Sequence, residues 1–361
     1  MPEKQLMKGN EALAEAAIRA GLKGYFGYPI TPQSELLEYL SRHLIDRGGE
    51  FIQAESEVAA INMVYGAAGC GKRVMTSTSS PGYSLMQEAI SYIACGELPC
   101  LLVNVVRGGP GLGTIQPSQG DYFQAVKGGG HGDYRLIVLA PNSVQEMADF
   151  VFKGFDLADQ YRNPVLILAD GALGQMMEPV TFPDYNPEDN LVDHSDWATQ
   201  GKPASRGPNV ITTLHLEADK MEAVNLKLQE KYRTIMANEV MIESIQTEDA
   251  DLVLVAYGLT SRIAHKAVEL ARNDGLKVGL LRPKTLFPFP SQHLAVLADQ
   301  VTSMMVVEMS AGQMVEDVRL AVNGKVPVYF QGRMGGVIPQ PDELLKRIHQ
   351  VYSSSSTQVN S

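Results

Sequence analysis

The strongest constraint on the fold is a repeated alternation of short apolar segments with longer segments of helical periodicity. In the first half of the chain the apolar segments are Gly24–Tyr28, Phe51–Gln53, Val74–Thr78, Leu101–Val106, Leu136–Ala140 and Pro164–Ala169. Helical segments such as Val58–Gly69 and Tyr83–Ala94 lie between them. Because parallel strands need crossover connections, this order predicts an α/β fold in which helices cover both faces of a parallel sheet.

A second α/β unit follows a polar connection. The stretch 184–208 is rich in Asp, Asn, Pro and Gly, and a charged helical run occupies about 218–235. Beyond it, apolar segments such as Leu252–Ala256 and Met304–Glu308 again alternate with helices. We therefore predict a first domain over 1–183, a linker with a charged helix over 184–245, a second domain over 246–352 and a disordered serine-rich tail over 353–361.

Charge and cysteine content exclude several classes of protein. The formal net charge of −11 disfavours nucleic acid or an anionic membrane as the partner. There is no apolar run of transmembrane length and no signal-peptide core near Met1, so we expect a cytoplasmic protein. The three cysteines lack the Cys-x-x-Cys spacing of a zinc or iron-sulfur site, so we expect no metal site in this chain.

The first candidate functional residue is Glu57, which lies where the strand Phe51–Gln53 runs into a helix. A carboxylate at the mouth of such a turn is placed for partial burial and for acid/base chemistry. The alternative is a carboxylate that only faces the positive end of the helix dipole. Glu55, two residues earlier, is open to the same two interpretations.

Two further candidates lie at other strand ends, where open parallel sheets bind their ligands. Thr31 follows the strand that ends at Tyr28, although a helix cap before Pro32 would explain it equally well. Arg107 directly follows an apolar strand and could bind a substrate carboxylate through two parallel hydrogen bonds. A structural ion pair is its alternative.

Three other features give no convincing site. The run Gly66–Arg73 imitates a phosphate-binding loop, but Arg73 stands where Ser or Thr is required and the run ends a helix. The glycines of 108–113 do not fit the Gly-x-Gly-x-x-Gly dinucleotide pattern. His131 lies in a long glycine-rich connection, and as a lone loop histidine it favours a structural role.

The order of these motifs resembles the alpha subunit of the 2-oxoacid:ferredoxin oxidoreductases. The resemblance covers nearly the whole chain and is carried by Gly9-Asn-Glu-Ala12, Gly27-Tyr-Pro-Ile-Thr-Pro32, Glu55-Ser-Glu57, Thr78-Ser-Ser-Pro-Gly82, Arg107-Gly-Gly-Pro110, Pro117-Ser-Gln-Gly-Asp121, His131-Gly-Asp133, Glu308 to Gly312 and Gly332-Arg-Met-Gly-Gly336. The runs Gly111–Pro117 and Gly312–Asp317 look most like the branch that acts on branched-chain substrates, the 3-methyl-2-oxobutanoate enzyme.

The resemblance implies the fold, the reaction and the partners. It implies a pyrimidine-type thiamine diphosphate domain followed by a transketolase C-terminal-like domain. The family decarboxylates a 2-oxoacid oxidatively, reduces ferredoxin and releases an acyl-CoA. A beta subunit would hold the cofactor's phosphates and Mg2+, and a gamma subunit and an iron-sulfur delta subunit or domain would complete the enzyme. The alternatives are a 2-oxoglutarate or pyruvate enzyme and a non-catalytic assembly subunit.

The resemblance also assigns roles to individual residues. Glu57 would contact the pyrimidine nitrogen of the cofactor and favour its imino tautomer, with Ser56 beside it on the cofactor side. Thr31 would donate a hydrogen bond to the 2-oxoacid, and Arg107 would neutralise its carboxylate. The neighbouring pocket wall would consist of Tyr28, Pro29 and Ile30.

Overall fold

A computed structural model describes residues 4–190 and 192–358. Its largest sheet has seven strands in the order β12-β6-β7-β5-β4-β2-β3. All neighbouring strands in it are parallel except β12, which pairs antiparallel with β6. These strands are β2 (Gly24–Gly27), β3 (Glu50–Gln53), β4 (Val74–Thr78), β5 (Cys100–Val106), β6 (Ile137–Leu139), β7 (Pro164–Asp170) and β12 (Thr285–Phe287).

Helices cover both faces of this sheet, as the alternation predicts. On one face, the core contains residues of α1 (Gly9–Arg19), α2 (Ser34–His43) and α7 (Val144–Tyr161). On the other face, it contains residues of α3 (Glu57–Ala68) and α5 (Gln87–Cys95). Shorter helices α4 (Ser80–Leu85), α6 (Tyr122–Val126) and α8 (Gly171–Gln175) follow strand ends, and β1 (Gln5–Lys8) pairs antiparallel with β8 (Met177–Val180).

The second unit is a five-stranded sheet in the order β14-β13-β10-β11-β9. Only β9 runs antiparallel to its neighbour. The strands are β9 (Ile242–Ile245), β10 (Leu252–Val255), β11 (Val278–Pro283), β13 (Ser303–Glu308) and β14 (Val328–Gly332). The helices of the connection and of this unit are α9 (Pro187–Asn190), α10 (Ala218–Asn238), α11 (Gly258–Asn273), α12 (Ser291–Leu297), α13 (Met314–Val322) and α14 (Pro341–Gln358).

The two units share a strand pairing and an apolar core. Strand β12 belongs by sequence to the second unit but extends the first sheet. One apolar core also runs without interruption from Val64 and Ile93 to Val253 and Val306. The predicted boundaries at 183 and 246 fall between elements and remain a prediction, while β12 and the shared core join the two units.

The C-terminal end differs from the prediction. The sequence analysis predicts a disordered tail from 353, whereas α14 continues to Gln358, and residues 359–361 lie outside the described part of the chain. The helix begins with Leu344, Ile348 and Val351 buried at helical spacing. Once such a face has nucleated a helix, adding further polar residues costs little.

Candidate active site

Glu57 is the first residue of α3, and the cap of that helix separates it from Glu55. Ser56 caps the helix in extended backbone conformation, and its Oγ accepts a hydrogen bond from the Ala59 amide at 3.2 Å. The same hydroxyl donates to Glu55 at 3.3 Å. Glu55 is solvent-exposed, whereas Glu57 is only 6% exposed. Ser56 thus uses its hydroxyl to hold the turn that buries Glu57.

The Glu57 carboxylate packs against the backbone of Gly82 in α4. A Cβ atom at Gly82 would lie 2.5 Å from Glu57 Oε1 and 2.1 Å from Thr78 Oγ1, so a side chain at this position would displace both groups. Within 4–190 and 192–358, nothing donates a hydrogen bond to the Glu57 carboxylate, and Thr78 Oγ1 is also buried without a partner. Because a poorly solvated carboxylate needs hydrogen-bond donors, Glu57 is suited to a partner from outside the described residues.

The turn after β2 carries Thr31 and is held from several sides. Its Thr31–Pro32 peptide is cis, and Asn10 Nδ2 donates to the Pro32 carbonyl at 2.8 Å. Gln33 is fully buried, and its Oε1 accepts from Ser77 Oγ at 2.7 Å. The cap alternative for Thr31 is wrong, because α2 begins only at Ser34 and Gln33 takes the cap position.

Arg107 meets this turn directly. Its Nη1 donates to the Thr31 carbonyl at 3.0 Å, and its Nη2 donates to the Leu112 carbonyl at 3.0 Å. Arg107 Nε is buried without a partner. The ion-pair alternative is wrong, because no acidic side chain among the described residues lies within ion-pair distance of this guanidinium. A buried, uncompensated cation with free N–H groups is a binding group for an anion.

The N-terminal segment of α4 links the two halves of the site. Ser80 Oγ accepts from the Arg107 amide at 3.1 Å and donates to the Arg107 carbonyl at 3.2 Å. Two residues later, Gly82 contacts Glu57. The structure therefore places Thr31, Glu57 and Arg107 on one rim, beyond the carboxyl ends of β2, β3 and β5, with the start of α4 after β4 between them.

The expected pocket wall lies on the open side of this rim. Tyr28 and Pro29 are exposed, and Ile30 is half-buried. His131 is also exposed, and it packs edge-to-face on Tyr92 at 6.0 Å between ring centroids.

Sequence reasoning missed several residues that build the site. It gave Asn10 no role beyond its place in the motif Gly9-Asn-Glu-Ala12, but Asn10 is a buried donor to the Thr31 turn. It assigned nothing to Gln33, to Gly82 or to Asp121. Asp121 accepts from Asn104 Nδ2 at 2.9 Å, and burial raises the pKa of this carboxyl. The runs that contain Asn10, Gly82 and Asp121 were recognised, but the roles of these residues depend on contacts between distant segments.

Comparison with known proteins agrees with this geometry. Residues 15–247 match the family described as pyruvate flavodoxin/ferredoxin oxidoreductase, thiamine diphosphate-binding, and residues 250–344 match pyruvate:ferredoxin oxidoreductase core domain II. The first match covers most of the chain and contains the whole rim. The chain belongs to this family. The resemblance stated from the sequence motifs is therefore confirmed.

Relatives of high similarity extend over the full length. The ketoisovalerate oxidoreductase subunit VorB of Methanothermobacter marburgensis is 52% identical over 355 residues, covering 98% of this chain and 99% of the relative. The 2-oxoglutarate synthase subunit KorA of Methanothermobacter thermautotrophicus is 36% identical over 372 residues, covering 96% and 99%. Both relatives are named as subunits of larger enzymes.

Solved structures support the same architecture. A 2-oxoglutarate:ferredoxin oxidoreductase from Magnetococcus marinus, solved with 2-oxoglutarate, coenzyme A and succinyl-CoA, has a TM-score of 0.85 at 27% identity. The match covers 97% of this chain and 65% of that chain. A split-gene transketolase has a TM-score of 0.56 at 14% identity, which shows a shared fold alone. The expected thiamine diphosphate fold with a transketolase-like second unit is confirmed.

No helix in the described part of the chain is long and apolar enough to cross a membrane. Across 4–190 and 192–358, no three side chains from His, Cys, Asp and Glu come together as metal ligands would.

Proposed function

We propose that this chain is the subunit of a branched-chain 2-oxoacid:ferredoxin oxidoreductase that supplies the acid/base carboxylate and the substrate-binding arginine. In this reaction 3-methyl-2-oxobutanoate is oxidatively decarboxylated to an acyl-CoA, and ferredoxin accepts the electrons. The observation that carries the proposal is the buried, donor-free Glu57 on the same rim as an uncompensated Arg107.

Glu57 fits the aminopyrimidine of thiamine diphosphate. A ring nitrogen is a small, directional partner that a buried carboxyl can bond whether that carboxyl is ionised or protonated. Glu57 lacks such a partner within the described chain. Gly82 and Thr78 pack against one side of its carboxylate, so a partner must approach from another side. When bound, thiamine diphosphate supplies the nucleophilic carbon and the electron sink for decarboxylation.

The other rim residues bind and orient the substrate. Arg107 neutralises the carboxylate of the 2-oxoacid through its free N–H groups, while its bonds to the Thr31 and Leu112 carbonyls hold the guanidinium in place. The exposed Thr31 hydroxyl is available to donate to the 2-oxo group. Tyr28, Pro29 and Ile30 line the entrance. Glu57 exchanges a proton with the ring nitrogen that it contacts.

The rest of the enzyme belongs to partner subunits. A beta subunit binds the diphosphate and Mg2+, iron-sulfur clusters lie in a delta subunit or domain, and a gamma subunit completes the complex with ferredoxin and CoA. The outer face of α3 suits contact with the beta subunit, because Val58 and Met63 are exposed and no charged residue occurs from Val58 to Gly71. An uncharged, partly apolar helix face beside a site that needs groups from another subunit is typical of a subunit interface.

A 2-oxoglutarate enzyme is the second candidate, since the KorA relatives and the Magnetococcus marinus protein act on that acid by their names. The higher identity to the ketoisovalerate subunit, 52% against 36%, favours the branched-chain substrate. A second carboxylate would also need a second cationic partner beyond Arg107.

The test is reconstitution with the partner subunits. The complex should bind thiamine diphosphate and reduce a viologen dye with 3-methyl-2-oxobutanoate and CoA, at a higher kcat/KM than with 2-oxoglutarate or pyruvate. A higher value for 2-oxoglutarate would transfer the assignment to that branch. Absence of turnover with every common 2-oxoacid would favour the non-catalytic assembly subunit.

A further inference from the structure

The loop of residues 108–116 closes on itself beside the Arg107 guanidinium. The Gly108 amide donates to the Gln116 carbonyl at 2.9 Å, and the Thr114 amide donates to the Gly108 carbonyl at 2.8 Å. A Cβ atom at Gly113 would lie 1.8 Å from the Gly108 oxygen, so the loop closes this tightly only with glycine there. These bonds define a compact loop with fixed ends, which we call the 108–116 loop.

The second unit packs against the base of this loop. A Cβ atom at Gly108 would lie 2.8 Å from the Gly335 carbonyl carbon and 2.9 Å from the Gly336 amide nitrogen. On another side, the Ile115 carbonyl lies 3.4 Å from where a Cβ of Gly171 would be. The base of the 108–116 loop therefore packs between two backbone segments. This packing fixes the position of the loop beside Arg107.

Two large apolar side chains nevertheless remain open to solvent on this loop. Leu112 is 81% exposed and Ile115 is 57% exposed. Leu112 lies between Gly111 and Gly113, which both have positive φ. This backbone presents a single leucine at the loop apex, where no described residue covers it, and its exposure is unfavourable unless a ligand or partner covers it.

Leu112 is also joined to the substrate-binding cation. Its carbonyl accepts from Arg107 Nη2 at 3.0 Å, and the same guanidinium donates to the Thr31 carbonyl. In a 2-oxoacid, the side chain begins only two bonds from the carboxylate carbon. A carboxylate on the free N–H groups of Arg107 therefore lies near the Leu112 backbone, and the side chain of the acid extends from a carbon only two bonds away.

We propose that Leu112 is a specificity-determining residue that contacts the aliphatic branch of the 2-oxoacid. This inference rests on the proposed function and names which residue of this chain sorts the substrates. Contact with the Leu112 side chain buries more apolar surface of a branched aliphatic chain than of the methyl group of pyruvate, so it favours binding of the branched acid. The same side chain offers no hydrogen-bond partner to a second carboxylate.

The test compares substrates in the reconstituted complex. Leu112→Ala should lower the ratio of kcat/KM for 3-methyl-2-oxobutanoate to kcat/KM for pyruvate by about tenfold, the scale for losing a few methylene contacts in a pocket. Leu112→Arg should raise the relative kcat/KM for 2-oxoglutarate, because it supplies a cation for the second carboxylate. Leu320→Ala, which alters a 76% exposed leucine on α13, is the matched control and should leave both ratios unchanged.

The outcomes separate this inference from the proposed function. A wild-type complex that prefers the branched acid, together with a Leu112→Ala complex that keeps the full preference, would overturn the inference and leave the function standing. A wild-type complex that does not turn over the branched acid would contradict the function, and the inference would fall with it. A reduced preference in Leu112→Ala alone supports both.

Discussion

At the scale of single residues, close contacts hold the Glu57 and Arg107 side chains of the rim in position. The Glu57 carboxylate lies over Gly82, next to the unpartnered hydroxyl of Thr78. Arg107 is held by two carbonyls, those of Thr31 and Leu112, and its backbone is held by Ser80. The Arg107 guanidinium is thus positioned by backbone carbonyls, and the Glu57 carboxylate by its close packing against Gly82 and Thr78.

Gly82→Ala tests whether the position of Glu57 matters as well as its charge. The added methyl group would collide with Glu57 Oε1 and Thr78 Oγ1 and displace the carboxylate. We expect dye reduction by the reconstituted complex to fall by at least about tenfold, as misplacement of a catalytic group does. Circular dichroism should show an unchanged fold. Full activity would show that the carboxylate does not need this position.

Arg107→Lys tests the guanidinium geometry while keeping the positive charge. The planar guanidinium of arginine can donate to the Thr31 and Leu112 carbonyls and to a carboxylate at the same time. The single ammonium group of lysine cannot reproduce this geometry. We expect kcat/KM for the 2-oxoacid to fall by about a hundredfold, the loss of about 2–3 kcal/mol of charge-assisted hydrogen bonding. An unchanged kcat/KM in steady-state assays would remove Arg107 from substrate binding.

At the scale of elements, the sequence predicted those strands and helices that show a clear local hydrophobic periodicity. The strand Val74–Thr78 has the predicted limits, and the predicted strand Leu101–Val106 differs from β5 by one residue. Strands β9 and β12 were missed because short edge segments have little periodicity. Helix α14 was missed although Leu344, Ile348 and Val351 have helical spacing, because the serines that follow have no apolar periodicity and favour a disordered tail.

Asp170 connects two of these elements and gives a pH-dependent prediction. Its Oδ1 accepts from the Ala172 and Leu173 amides of α8, and the carboxylate also accepts from the Leu259 amide of α11. Burial raises the pKa of this carboxyl to about 6. The unfolded chain releases the proton near pH 4, so the contribution of Asp170 to stability is full below pH 4 and is lost as the pH rises through 6.

Asp170→Asn should therefore change how stability depends on pH. Asparagine cannot ionise, so the free energy of unfolding of the variant relative to wild type should rise between pH 4.5 and pH 7.5 by about 2 kcal/mol. Urea unfolding at both pH values, followed by circular dichroism, measures this difference. The altered hydrogen bonds of asparagine act equally at both pH values. A difference that does not change with pH would contradict the raised pKa.

At the scale of the whole molecule, the two units are held together by hydrogen bonds as well as by a shared core. Gln119 is buried and bonds to the backbone of Met309 and Tyr257, and Tyr122 donates to Asp317 at 2.8 Å. Glu308 accepts from the first amides of α13 and so holds the Met309 loop in position. No sequence pattern predicts this interface, because its partners are about 140–190 residues apart.

A fragment ending at residue 247 should consequently fail to form a native first unit. It would lose β12 from the large sheet and much of the apolar core that continues into the second unit. We expect strong binding of an apolar fluorescent dye and no cooperative thermal transition, as for a state that keeps secondary structure without fixed packing. A sharp, native-like transition in the fragment would show that the first unit folds alone.

The central claim is that this chain supplies a catalytic carboxylate to a cofactor anchored by a partner subunit. Proton exchange at the thiazolium carbon of thiamine diphosphate tests it most directly, because the exchange requires neither substrate nor ferredoxin. In D2O, NMR should show fast exchange in the wild-type reconstituted complex and no enzyme-accelerated exchange with Glu57→Gln, although both complexes assemble and bind the cofactor. Equal exchange rates in the two complexes would contradict the claim and leave Glu57 as the start of a helix.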